Sequence, residues 1–208
     1  MRTESTLTAN VPYYSQWESR QLVPALLKGS VRAIEDPLWK NSGAQSADEY
    51  EYWSWRICGI ACFRMALAHW RGINVPSVPL AKECLNAGAY VRKADKLEGL
   101  IYAPFANYVN LNWGIRAEVR ASLKTDEIVK EVCTGRLIMA SVHPDIRDPS
   151  VGPPCRGGHL VLIVGTEADR VIFHNPSGLP GLSQDFAKIR YDDWDRFFAG
   201  RGVVLATI

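Results

Sequence analysis

The clearest periodicity lies in 58–70, where Ile60, Phe63, Leu67 and Trp70 recur at three- and four-residue spacing. That spacing predicts a helix with one buried stripe. Arg71 and Gly72 follow as a basic last turn and a stop signal. Further helices are expected over 78–87, after the Pro76 turn and ending near Gly88, and over 99–111 and 125–134. Past residue 136 the pattern changes. The β-rich run 137–142 ends in a polar, proline-rich loop, 143–154. The apolar runs 159–164, 170–174 and 202–208 then read as consecutive strands, joined by turns at 165–169 and 175–181. Helices come first and antiparallel strands afterwards, so the expected class is α+β rather than doubly wound.

The amino-terminal part is less regular. Residues 11–17 read as a short edge strand whose pairing Pro12 limits. The stretch 18–54 shows no firm period, has turn residues at Asn41, Ser42 and Gly43, and is rich in aromatics (Trp39, Tyr50, Tyr52, Trp53). It reads as an insertion wrapped around a single domain spanning 1–208.

Composition narrows the function classes. With 47% hydrophobic and 22% charged residues over 208 positions, the chain is ordinary globular material, long enough to bury a core without disulfides. The net charge of +2 and the lack of any basic run interleaved with aromatics exclude electrostatic binding of nucleic acid. The longest apolar runs, such as 160–165, are strand-sized and too short to span a membrane. Residues 1–10 are polar, carry Arg2 and Glu4 and lack the apolar segment of a signal peptide, so a cytoplasmic protein is expected. Five cysteines at 58, 62, 84, 133 and 155 are an odd number without a disulfide framework. They read as reduced thiols, at least one of which has a task.

Cys58 stands at the start of the predicted helix, where the helix dipole favours a thiolate. Gly59 leaves room around it. His159 follows Gly157 and Gly158 and opens a strongly apolar strand, where a base can be held by a sheet and still face a cleft. Asn175 ends the next strand. In an antiparallel hairpin it lies beside His159, so its carbonyl can accept the distal ring proton and fix the tautomer. Locally a plain Asn-Pro turn would read the same. For a developing oxyanion the candidates are the Cys58 backbone N–H and the side chain of Gln16, with Gln45 as second choice. His174 falls on the strand face opposite Asn175, His143 in a surface loop and His69 on the polar side of the helix. Trp53 and Trp55, just before Cys58, would wall a substrate groove or pack in the core.

These segments carry a resemblance. Val11-Pro-Tyr-Tyr-Ser-Gln16, Cys58-Gly-Ile-Ala-Cys62, Gly158-His-Leu-Val-Leu-Ile-Val-Gly165 and His174-Asn-Pro-Ser177 resemble the papain-like cysteine peptidases typified by bacteriocin-processing, double-glycine leader peptidases, in their stand-alone branch. The likeness extends to 80–90 and to the tail from Asp193-Trp194 to Val203-Val-Leu205, and covers most of the chain outside 18–54. It implies a papain-like fold, and a triad of Cys58, His159 and Asn175 with Gln16 in the oxyanion hole. The family often has Asp where this chain has Asn175, the residue type that serves in papain itself. It usually has Pro or Leu at the place of Ile60, and a shorter interval between the Gln and the Cys.

The expected function is thus a cysteine hydrolase, a peptidase, acting on a peptide or small amide or acyl substrate through a thioester, with no cofactor and no metal. Three alternatives stand beside it. The same triad serves an amidase or an acyltransferase. A silent peptide-binding domain keeps the fold without turnover. Least favoured is a structural zinc site built from Cys58, Cys62, Cys155 and His159.

Overall fold

Strands that are apolar at every position must be covered on both faces. Residues 137–142 and 159–166 are buried throughout, and helices cover both of their faces. The computed structural model describes residues 6–8, 10–93, 96–97 and 99–207. The chain runs through β1 (Thr6–Leu7), α1 (Val23–Leu27), α2 (Ala47–Ser54), α3 (Cys58–Arg71) and α4 (Ser77–Asn86). An antiparallel pair follows, β2 (Arg92–Lys93) with β3 (Lys96–Leu97), then α5 (Tyr102–Asn112), β4 (Ile115–Arg120) and α6 (Thr125–Cys133). The remainder is β5 (Leu137–Val142), β6 (His159–Glu167), β7 (Arg170–His174), β8 (Ala187–Arg190), α7 (Tyr191–Phe197) and β9 (Phe198–Thr207).

The main sheet is antiparallel in the order β4-β9-β5-β6-β7-β8, with β1 paired to the far end of β6. Alternation along its strands sorts two cores. Leu137, Met139, Leu160, Leu162 and Val203 face Ile60, Phe63 and Leu67 of α3 and Phe105 of α5. Ile138, Val161, Ile163 and Val204 face Ile128 and Val132 of α6 and Trp194 and Phe197 of α7. The expected packing of helices on a sheet therefore holds, with a second helical layer behind it. Helix α3 ends at Gly72 in the left-handed region (φ 65°), whose N–H bonds the carbonyl of Ala68.

The expected strand at 11–17 does not form. Its polar groups meet the sheet singly: Val11 O accepts from His174 Nε2 at 3.0 Å, and Gln16 N–H donates to Pro176 O at 2.9 Å. Pro12, lacking an N–H, interrupts any ladder. The region 18–54 is also more ordered than its sequence suggests. Helices α1 and α2 and three short 3-10 turns enclose a small core of Trp17, Val23, Leu26, Ala33 and Tyr50. At its centre the buried Asp36 accepts from Ser19 N (3.0 Å), Ser19 Oγ (2.5 Å), Leu38 N (2.9 Å) and Tyr50 OH (2.6 Å). A polar hub of this kind leaves no apolar period to read. Arg64 of α3, buried beneath Tyr14, pairs with Glu18 at 3.5 Å and ties this unit to the main domain. Strands β4 and β8 and helix α7 are further elements absent from the expectations above, and α5 begins at Tyr102 rather than at 99. No helix among the described residues is long and apolar enough to cross a membrane.

Candidate active site

Cys58 is the first residue of α3, and no side chain caps the helix start. The N–H groups of that first turn are left without intrahelical partners. Helix and sheet meet closely here. A Cβ built on Gly59 would lie 2.7 Å from Leu100 Cδ2 and 2.9 Å from Leu160 Cδ1, so only glycine permits the approach. Gly59 thus seats the helix, a role beyond the open space expected of it. One turn on, the buried Cys62 Sγ lies 3.6 Å from the carbonyl of Leu160 and adds to the same seam. Its neighbour in sequence, His159, starts β6 opposite Val142.

His159 and Asn175 meet as the hairpin argument requires: Nε2 lies 2.8 Å from Asn175 Oδ1. The amide orientation is set by chemistry, because the Ser177 backbone N–H donates to the same Oδ1 at 3.1 Å and an amide nitrogen could not accept it. His159 Nε2–H is therefore the natural donor to Asn175, which leaves Nδ1 as the second ring nitrogen. The Asn-Pro turn is held firmly. Asn175 N–H donates to Gln184 O at 2.8 Å, and Asn175 O accepts from Tyr13 OH and Gly178 N, each at 2.9 Å. Pro176 O accepts from Ser15 Oγ and Gln16 N, again at 2.9 Å each. The 11–17 segment, though not a strand, buttresses this turn.

Two residues not singled out in the sequence join the pair. Ser177 Oγ lies 3.1 Å from His159 Nε2, and Arg147 donates to it from Nη2 (2.8 Å) and Nε (3.1 Å) and to Ser177 O (2.8 Å). Ser177 lies within the His174-Asn-Pro-Ser177 segment. Arg147 comes from the 143–154 loop, and no local signal links it to Asn175.

Burial, first, and the Arg147 charge, second, push the His159 imidazole down to about 3, against the opposing bond to Asn175. Burial likewise pushes the Cys58 thiol up, opposed by backbone groups of Leu160, Gly59 and Cys58 itself and by Arg147. Desolvation thus opposes the thiolate bias expected from the helix start. Both shifts favour the uncharged forms, a thiol at Cys58 and a neutral ring at His159.

This predicts a pH effect on stability. An unfolded histidine takes up a proton below about pH 6.5, whereas folded His159 does so only near pH 3. Its contribution is complete above pH 6.5 and is lost as pH falls toward 3, on the order of 1.4 kcal/mol per pH unit inside that window. The urea midpoint of the wild type should fall more steeply through this window than that of His159→Gln. Parallel slopes would show that the ring does not titrate in this way.

Cys58 and His159 line one cavity of about 530 Å³, together with Trp55, Leu100, Tyr102 and Ser141. Trp55 is 44% exposed at this cavity, whereas Trp53 is buried in the core. Gln16 is buried, with Nε2 donating to Ser54 O at 3.0 Å, at the end of α2 and four residues before Cys58. Gln45 is exposed at the start of α2, with its N–H on Glu49 Oε2 at 2.7 Å. His174 is buried with both ring nitrogens engaged, Nε2 to Val11 O and Nδ1 to Phe186 N–H, each at 3.0 Å. His143, half-buried, accepts from Asp145 N–H at the start of a 3-10 turn. The proposed zinc ligands do not assemble: Cys155 is exposed, Cys62 faces Leu160 O, and among the described residues no three metal-binding side chains converge.

A helix opened by a cysteine, packed on an antiparallel sheet that carries a histidine–asparagine pair, defines the papain-like cysteine peptidase fold. The sequence profile of the Peptidase_C39 like family matches residues 8–196, and the chain belongs to that family. Among solved structures it is similar to the peptidase domain of Streptococcus ComA, a bifunctional ABC transporter of a quorum-sensing pathway. That match has 13% identity and a TM-score of 0.49, and covers 74% of this chain and 93% of that one. A double-glycine-motif protease from an AMS/PCAT transporter, solved with its leader peptide, matches at 16% identity and TM-score 0.45, over 73% and 84% of the two chains. A protein of Bacillus anthracis assigned as a C39-like peptidase matches at 11% identity and TM-score 0.47, over 99% and 98%. No curated protein matches the chain in sequence.

Proposed function

We propose that the chain is a cysteine peptidase in which Cys58 attacks an amide carbonyl. The observation that carries this reading is the 2.8 Å bond between His159 and Asn175 beside a cavity that both His159 and Cys58 line. With Nε2 committed to Asn175, Nδ1 takes the thiol proton as the sulfur–carbon bond forms, then gives it to the leaving amine. A neutral ring suits that role, since a protonated one could not accept. The thioester left on Cys58 is resolved by water.

Asn175 keeps the ring in the tautomer the reaction needs. Arg147 and Ser177 hold that pair in place, and burial, aided by the Arg147 charge, favours the unprotonated ring at rest. The oxyanion is received by the Cys58 N–H and by Gln16, whose amide nitrogen carries a second hydrogen beyond the one given to Ser54. The substrate is a peptide or small amide, and a cytoplasmic protein fits the absence of extended apolar segments in the sequence.

A mild thiol electrophile with intact-protein mass spectrometry tests the reading. Cys58 should label well ahead of the exposed Cys133 and Cys155, and the advantage should vanish in His159→Ala. Labelling that simply follows exposure would instead favour a silent peptide-binding domain. Acyl transfer to an amine in place of water would show in the products: a new amide rather than a free acid.

A further inference from the structure

The cavity beside Cys58 carries two cations that the chemistry of amide cleavage does not use. Arg56 and Arg201 both line it. Arg56 precedes the nucleophile by two residues; its Nη1 donates to the Tyr52 carbonyl and its guanidinium stacks on the Tyr52 ring at 4.3 Å. Arg201 enters from β9. Its Nη2 lies 3.1 Å from the place a Cβ on Gly157 would take, so it rests over the glycine pair that leads into His159. Among the described residues, none that lines the cavity is acidic, and neither arginine has a carboxylate partner. By contrast Arg20, Arg64 and Arg120 are each ion-paired.

We propose that this cavity selects a substrate bearing a carboxylate close to the bond that is cut, held by Arg56 and Arg201. Guanidinium groups take carboxylates in a forked, two-bond geometry, with orientation as well as attraction. Two of them around a partly enclosed space raise the local concentration of an anion. Apolar walls at Trp55, Leu100 and Tyr102 then receive the uncharged part of the same substrate. The carboxylate is an acidic side chain or a chain terminus; both present the same two oxygens. This inference rests on the reading of Cys58 as the nucleophile.

Matched alkylating probes separate the two claims. Iodoacetyl-glycine and its primary amide share size and leaving group and differ by one charge. In each, the Cys58 sulfur displaces iodide from the iodoacetyl carbon. The acid should label Cys58 about tenfold faster than the amide, whereas an unassisted thiolate repels the acid. The ratio should fall toward one in Arg56→Gln and in Arg201→Gln. In the unaltered chain it should fall likewise as salt rises to about 1 M, where screening acts within about 3 Å.

A ratio at or below one in the wild type, insensitive to salt, overturns the anion site whatever the absolute rates. Cys58 labelling no faster than Cys133 and Cys155 with both probes overturns the nucleophile reading and leaves the ratio as an independent measure. The amide of iodoacetyl-aspartate distinguishes the two sources. A preference for it over iodoacetyl-glycine assigns the site to acidic side chains, and the reverse to chain termini.

Discussion

Replacing Cys58 by alanine is expected to reduce turnover of a peptide amide by at least ~10³-fold, with the fold and thermal midpoint retained. In the proposed mechanism the sulfur is the atom that bonds to the substrate, and a methyl group could not form the thioester. What remains is positioning by the cavity and the oxyanion donors, which alone supply only a residual acceleration. The substitution costs little in folding, because Cys58 as a residue is half-buried at the cavity, although packing desolvates its sulfur, and the contacts that seat α3 come from Gly59 and Cys62. His159→Ala should fall to a similar level. The two changes together should lose no more than either alone, since they act in one step. Asn175→Ala should cost less, because the ring keeps Ser177 at 3.1 Å as a second contact. Peptide turnover by purified Cys58→Ala that matches the wild type would sink the assignment.

The second large effect is on folding. Gly178→Ala should lower the thermal midpoint by roughly 6–12 °C, corresponding to about 3 kcal/mol for a chain of this size. An added Cβ would sit 2.0 Å from the Ser183 carbonyl oxygen and 2.4 Å from its carbon. Both are backbone atoms, with no flexible side chain to swing away. The turn that must give is the one presenting Asn175 and Ser177, with Gly178 N–H bonded to Asn175 O at 2.9 Å. Activity measured well below the midpoint should therefore fall as well. An unchanged midpoint by calorimetry or circular dichroism would show that this turn is looser than its packing indicates.

Much of this was readable in the chain. Helix α3 was legible because Ile60, Phe63 and Leu67 follow one stripe and Gly72 stops it. Strands β5, β6 and β7 were legible because their apolar runs are long and bounded by turns. Strand β4 was not. Only Ile115 and Ala117 are buried in it, and Arg116, Glu118 and Arg120 disguise an edge strand. Strand β8 alternates faithfully but over four residues, too few to stand out. Within the site, the neighbourhood of His159 and Asn175 followed from hairpin geometry alone. Arg147 could not be foreseen, because thirty residues of chain separate it from Ser177 and only the folded loop brings them together. The burial that opposes a Cys58 thiolate was not legible, because a helix start is visible in sequence and the packing around its sulfur is not.

The glycine seam between α3 and β6 has one more consequence. Cys58 and His159 belong to different layers, and each is adjacent in sequence to a member of the Gly59–Leu160 contact. The gap between sulfur and ring is therefore gauged by how deeply one layer beds into the other. For the proposed mechanism, reactivity becomes a property of alignment, like the gap of a spark plug. Bulk added along that seam would retune it without altering either side chain.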